Sequence, residues 1–192
     1  MSDTNLAALY QEMILDHYRR PRNKGELEHP DADVDMKNPL CGDEIGVQLA
    51  FDGTVIRDVK FTGRGCSISQ ASASMMTELV KGKDAAQAEL IREQFRAMVM
   101  GDASAATNPV LGKARSLSGV SKYPARVKCA LLGWNALEAG IHQHEESAGT
   151  ESHSSIQRET SADEQLLDHT HDHDREHPRD GSPERSRTEP DA

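Results

Sequence analysis

Much of what would carry a chain into a membrane or onto nucleic acid is missing from this sequence. None of the 192 residues belongs to an apolar run approaching the roughly 18 to 20 that a membrane span needs. The first residues have neither the charged-then-apolar pattern of a secretory leader nor the Arg-rich bias of an organelle transit peptide, so a cytoplasmic location is expected. Net charge is -10 and no stripe of Lys and Arg stands out. Nucleic acid and anionic membrane surfaces are therefore excluded as partners, because phosphate binding needs clustered cations to displace counterions. Cysteine is scarce too. Three residues, Cys41, Cys66 and Cys129, are an odd number, which argues against a disulfide framework and leaves metal binding, thiol chemistry or plain burial.

The acidity is concentrated at one end. Residues 1–142 carry 17 Lys and Arg against 18 Asp and Glu, whereas residues 143–192 carry 5 against 14. Within those last 50 residues only Ala148, Ile156, Ala162, Leu166, Leu167 and Ala192 are hydrophobic, and none is aromatic. Such a segment lacks the apolar surface to offset its ordering entropy. The expectation is a folded domain over 1–142 and a disordered acidic tail over 143–192. In the tail His169, His171, His173 and His177 alternate with acids, a composition suited to loose binding of divalent metal or to simple solvation.

Within the first 142 residues the hydrophobic period changes. Leu6, Leu9, Tyr10, Met13, Ile14 and His17 recur at helical steps, which predicts an amphipathic helix over Thr4 to Tyr18 ahead of Pro21. Ile45, Val47, Leu49 and Phe51 then alternate, Asp52-Gly53 forms a hairpin turn, and Val55 to Phe61 returns. Ala32 to Met36 adds a weaker strand. Helices are expected over Ser67 to Lys81, Asp84 to Met100 and Val127 to Ile141, the last opened by Pro124, with a looser Gly- and Ser-containing stretch between Gly101 and Ser121. The fold class is α+β, a small antiparallel sheet of about three strands packed with several helices. His17 and Trp134 read as packed side chains, and Met75, Met76, Met98 and Met100 as core filler.

Each cysteine falls at an element boundary rather than in an apolar stripe. Cys41 lies in the loop Asn38-Pro39-Leu40-Cys41-Gly42-Asp43, Cys66 follows Gly63-Arg64-Gly65, and Cys129 stands in the early turns of the Pro124 helix. A helix start favours the thiolate, which is the form metals bind, so acidic thiols are expected at the two helix positions. Asp43, one glycine beyond Cys41, can supply a hard oxygen as a fourth ligand. Three sulfurs and one oxygen suit Zn²⁺, and also a small iron-sulfur cluster. Plain burial of three scattered thiols is the competing reading.

Four runs carry a resemblance. Ile14-Leu15-Asp16-His17-Tyr18-Arg19-Arg20-Pro21-Arg22-Asn23, Asn38 to Asp43, Gly63-Arg64-Gly65-Cys66-Ser67-Ile68-Ser69, and Pro124-Ala125-Arg126-Val127-Lys128-Cys129-Ala130-Leu131-Leu132-Gly133-Trp134 are similar to the U-type iron-sulfur cluster assembly proteins. The resemblance spans Leu6 to about Ile141. It implies that Cys41, Asp43, Cys66 and Cys129 meet at one exposed metal site. Scaffold members carry His immediately before the third cysteine. Lys128 stands there in this chain, and the segment between Cys66 and Cys129 is longer, of the kind that marks the SufU branch. The resemblance therefore implies a zinc-dependent sulfurtransferase, taking persulfide sulfur from a SufS-type cysteine desulfurase and passing it to downstream iron-sulfur assembly components. The alternative is a scaffold on which a [2Fe-2S] cluster is built and transferred.

Roles follow from charge and mobility. Three thiolates, a carboxylate and Zn²⁺ leave a net charge of -2, so a nearby cation is expected. Arg126 is three residues before Cys129 on one helix face and is assigned to charge balance, with Arg64 a weaker candidate. Cys41 is the expected sulfur acceptor. Its loop position beside Gly42 lets it move with least strain, whereas Cys66 and Cys129 are held by helices.

Overall fold

The computed structural model describes residues 3–164. Helix α1 (Asp3–Arg19) leads to three strands, β1 (Ala32–Asn38), β2 (Asp43–Asp52) and β3 (Val55–Arg64). They pair antiparallel in the order β1-β2-β3, with Val34 opposite Val47 and Val47 opposite Phe61. Helices α2 (Ser67–Val80), α3 (Ala85–Val99) and α4 (Ala103–Thr107) follow, then a 3-10 segment Pro109–Lys122 and α5 (Pro124–Glu164). The α+β class, with a three-stranded antiparallel sheet packed by helices, is as the sequence indicates.

The strand pattern buries one side of the sheet under helices. Ile45, Val47, Leu49, Val59 and Phe61 are buried with Ala71, Met75 and Met76 of α2 and Leu137 and Ile141 of α5. Trp134 of α5 stacks on Phe95 of α3 with centroids 4.4 Å apart, and its indole N–H donates to Ser72 Oγ at 3.1 Å. Ser72 in turn donates to the Ala130 carbonyl at 2.7 Å, so the one indole donor buried here is satisfied. Arg92, buried on α3, meets Glu89, Glu93 and Glu138, which joins α3 to α5 through a paired rather than an orphaned charge.

Four local readings need correction. Met100 is exposed, because the helix has ended at Val99 and the chain turns at Gly101; Met75, Met76 and Met98 are core. The β2–β3 turn is Gly53-Thr54, one residue later than expected, since Asp52 already pairs with Val55. The stretch 101–121 is not loose. Asp102 caps α4 by accepting from the Ser104 and Ala105 N–H groups, and Asn108 caps the 3-10 segment through Val110 N–H. Finally, α5 does not stop at Ile141. Gln143 Oε1 accepts from Asp33 N–H at 3.3 Å, and the His144 ring lies on Phe51 at 3.9 Å and 2°, with Nε2 3.2 Å from the Gly53 carbonyl. These contacts carry the helix past the composition change at residue 142.

The chain divides into two compact units, Met1–Glu151 and Ser152–Ala192. The first contains the sheet, α1 to α4 and α5 as far as Glu151. In the second, residues 152–164 are helical, and the histidines at 169 to 177 lie outside the described residues. Among the described residues no helix is long and apolar enough to cross a membrane.

Candidate metal centre

Three junctions of the fold meet at one end of the sheet. The first is the turn between β1 and β2. Asn38 and Asp43 are opposite each other in the ladder, and the turn between them is closed by Gly42 N–H donating to the Asn38 carbonyl at 2.8 Å. Gly42 takes φ 72°, a left-handed value that a side chain would resist, and so Cys41 is held out on an exposed tip. The second is the step from β3 into α2, where Cys66 is the residue that caps α2. The third is the second turn of α5, which presents Cys129.

Cys41 Sγ and Cys129 Sγ are 3.3 Å apart, and these two sulfurs and a carboxylate oxygen of Asp43 all lie within 4.8 Å of one another. Cys66 Sγ is 3.2 Å from Asp43 Oδ2. It touches the group through that carboxylate rather than joining the mutual set of three. Asp43 is the hub, since its Oδ1 also accepts the Cys66 N–H at 2.9 Å. Gly65 makes this possible, because a Cβ there would fall 2.8 Å from the Asp43 carboxylate and 2.6 Å from Ser69 Oγ.

Electrostatics differ among these groups. Burial raises the Asp43 pKa, but hydrogen bonds from the Cys66 N–H and from the Cys66, Cys129 and Cys41 thiols outweigh it and hold the carboxyl below its ordinary value. Cys129 goes the other way. Its burial, reinforced by hydrogen bonds with Cys41 and Asp43 and by the nearby Cys66, pushes the thiol well above the usual range. The acidic thiol expected from its helix position is therefore corrected: Cys129 is 1% exposed, and desolvation outweighs the helix start.

The expected cations are placed differently from each other. Arg64 Nε is 3.4 Å from Glu44 Oε2, pairing an exposed cation with a half-buried carboxylate on the neighbouring strand. Arg126 is exposed in the first turn of α5, lines a groove with Ile14, Ile68 and Tyr123, and its guanidinium has no ion pair among the described residues. Lys128 is exposed as well. His17 is buried, with Nδ1 2.9 Å from Ser74 Oγ and Nε2 3.6 Å from Glu78 Oε2, so it ties α1 to α2 and stands apart from the cysteines. Two contributors had little signal of their own in the sequence. Asn38 places Nδ2 3.9 Å from Cys129 Sγ, and Ser69 Oγ lies 3.8 Å from Cys66 Sγ. An Asn before a Pro is a common turn opener, and only that clue pointed to Asn38.

The donor set fits a tetrahedral thiolate site. Zn–S bonds of about 2.3 Å put neighbouring sulfurs about 3.8 Å apart, so the 3.3 Å Cys41–Cys129 separation needs only a small opening to admit the ion. Three cysteine sulfurs and an ionised carboxylate are donors that zinc takes, whereas hard cations such as Mg²⁺ prefer oxygen alone.

A small α+β domain with three cysteines and an aspartate gathered at one end of its sheet defines the U-type class of assembly proteins. Residues 9–150 match the NifU-like N terminal domain, and the chain belongs to that family. It is 48% identical over 143 residues to the zinc-dependent sulfurtransferase SufU of Bacillus subtilis, covering 74% of this chain and 96% of that one. It is 43% identical over 141 residues to the iron-sulfur cluster assembly scaffold protein IscU of Streptococcus pyogenes, covering 73% and 87%. Among solved structures, a Fervidobacterium islandicum protein named for the SUF system superposes with a TM-score of 0.64 at 37% identity, covering 70% of this chain and 97% of that one.

Proposed function

We propose that this protein is a zinc-dependent sulfurtransferase of iron-sulfur cluster assembly, accepting persulfide sulfur on Cys41 from a SufS-type cysteine desulfurase and passing it to downstream assembly components. The observation that carries this reading is the asymmetry of the two touching thiols. Cys41 is exposed on a turn, and Cys129, 3.3 Å away, is buried in a helix. One sulfur of the set is thus free to meet a partner while the others stay fixed. The identity with the Bacillus subtilis sulfurtransferase and Lys128 in the place of the scaffold histidine support the same reading.

Cys41, Asp43, Cys66 and Cys129 would hold the zinc, which supplies thiolate stabilisation without redox chemistry of its own. That supply matters most at Cys129, whose burial otherwise favours the thiol. Cys41 acts as nucleophile. Its thiolate attacks the outer sulfur of the desulfurase persulfide, a Cys41 S–S bond forms, the donor S–S bond breaks, and the donor cysteine leaves as thiolate with the electron pair. Cys41 is thereby oxidised to the persulfide level and the donor cysteine reduced. Arg126, without an ion pair among the described residues and three residues before Cys129 on α5, would supply positive charge toward the site. The enzyme is in this sense a sulfur-accepting transferase that works only with its desulfurase.

The test is a desulfurase assay coupled to mass spectrometry of the three cysteines. One added sulfur on Cys41 and acceleration of the desulfurase at low concentration are expected. A transferable [2Fe-2S] cluster after anaerobic reconstitution, with no persulfide on Cys41 and no acceleration, would overturn the reading in favour of a scaffold.

A further inference from the structure

Asn38 is the last residue of β1 and is 6% exposed, so each of its polar atoms needs a partner inside the protein. Its carbonyl accepts Gly42 N–H at 2.8 Å and its Oδ1 accepts Leu40 N–H at 3.1 Å. These two bonds grip the turn on either side of Cys41. Because Leu40 N–H is a donor, the side-chain oxygen must face it, and the amide nitrogen is left to face Cys129 Sγ, 3.9 Å away and 91 residues distant in sequence. One neutral side chain therefore contacts both the turn that carries Cys41 and the Cys129 sulfur.

We propose that Asn38 is a positioning residue of the metal centre, which fixes the Cys41 turn through Leu40 and Gly42 while its amide N–H holds the Cys129 sulfur as a thiolate ligand. The inference rests on the zinc reading of the site. An N–H donor to a thiolate directs the sulfur and spreads its charge without adding a counter-ion, which suits a site whose exposed cysteine must be free to leave. When Cys41 turns outward to take sulfur, the amide keeps Cys129 in place. A carboxylate at the same position would keep the turn bond and repel the sulfur.

That contrast is the experiment. In Asn38→Asp an oxygen still accepts Leu40 N–H, and in Asn38→Ser a shorter hydroxyl does so without reaching Cys129. Each full-length variant is titrated with Zn²⁺ against a competing chelator, its Co²⁺ form is examined for sulfur-to-cobalt charge-transfer bands, and the metal-free chain is melted. Metal-free melting close to wild type is expected for Asn38→Ser, and a lower value for Asn38→Asp, whose buried carboxylate stands opposite Asp43 in the ladder. Zinc affinity should fall about 10- to 100-fold in Asn38→Asp with displaced cobalt bands, and by a smaller factor in Asn38→Ser. Affinity within about twofold of wild type and unshifted bands in both would overturn the role of Asn38 and leave it a turn cap. If Asn38→Asp does not fold, the serine variant decides by the same two readouts. Wild-type protein that binds neither ion would instead overturn the zinc reading itself, so the two failures are told apart.

Discussion

Cys41 Sγ lies 3.3 Å from Cys129 Sγ although 88 residues separate them, and Asp43 joins both within 4.8 Å. The proximity brings a turn tip and a buried helix position together, and it makes the ligand set testable residue by residue.

Replacing Cys41, Asp43, Cys66 or Cys129 by Ala should each lower the zinc content of protein purified without chelator. The deepest loss is expected at Asp43, which contacts Cys66 through both carboxylate oxygens and also faces the other two thiols. Metal analysis of the four variants beside wild type measures this. Full stoichiometry in all four would show that the zinc sits elsewhere.

Gly65→Ala probes the same carboxylate without replacing a ligand. The new Cβ would stand 2.8 Å from the Asp43 carboxylate and 2.6 Å from Ser69 Oγ, so Asp43 must shift. Zinc affinity should drop by a factor of about ten or more while the fold persists, since repositioning a metal-site residue commonly costs that much. Chelator competition with circular dichroism of the same samples separates the two effects.

His17 gives the stability a pH dependence. Burial first, then the positive Arg22 and Lys113, lower its pKa below 6.5 against the opposing pull of Glu78 and Asp16. The unfolded chain, with its His near 6.5, binds the proton more readily than the folded chain. Stability from this residue is therefore present above pH 6.5 and is lost as pH falls through the folded value. Melting temperature should decline between pH 7.5 and 5.5, and His17→Gln should flatten that part of the profile. An unchanged slope in the variant would assign the decline to other groups.

A chain ending at His142 removes Gln143 and His144 from the sheet. Stacked aromatic pairs contribute about 0.5–1.5 kcal/mol, which for a domain of this size corresponds to a few degrees of melting temperature. A chain ending at Glu151 should keep that stability, and one ending at His142 should melt about 2–4 °C lower. Equal melting of the two would mean the His144–Phe51 stack contributes nothing in solution.

Local pattern alone was enough for the helices and strands before residue 100, because period and turn chemistry are properties of neighbouring residues. Val47 and Leu49 alternate, Asp84 caps α3 by accepting Gln87 N–H, and Pro124 opens α5, and each is readable from a few positions. The four candidate ligands were also legible as candidates, since Cys41 and Cys66 stand at element boundaries, Cys129 follows the helix-opening Pro124 by five residues, and Asp43 follows Cys41 by two. Tertiary packing decided the rest. A thiol's acidity depends on what surrounds it, so the helix start at Cys129 was outweighed by burial that no neighbouring residue announces. The continuation of α5 past Ile141 is likewise accompanied by contacts of Gln143 and His144 with Asp33 and Phe51, about a hundred residues earlier in the chain, which the polar composition after His142 does not announce. Asn38 reaches Cys129 only because β1 and α5 come together at the sheet's end, and the distance between two side chains so far apart in sequence is a property of the folded chain alone.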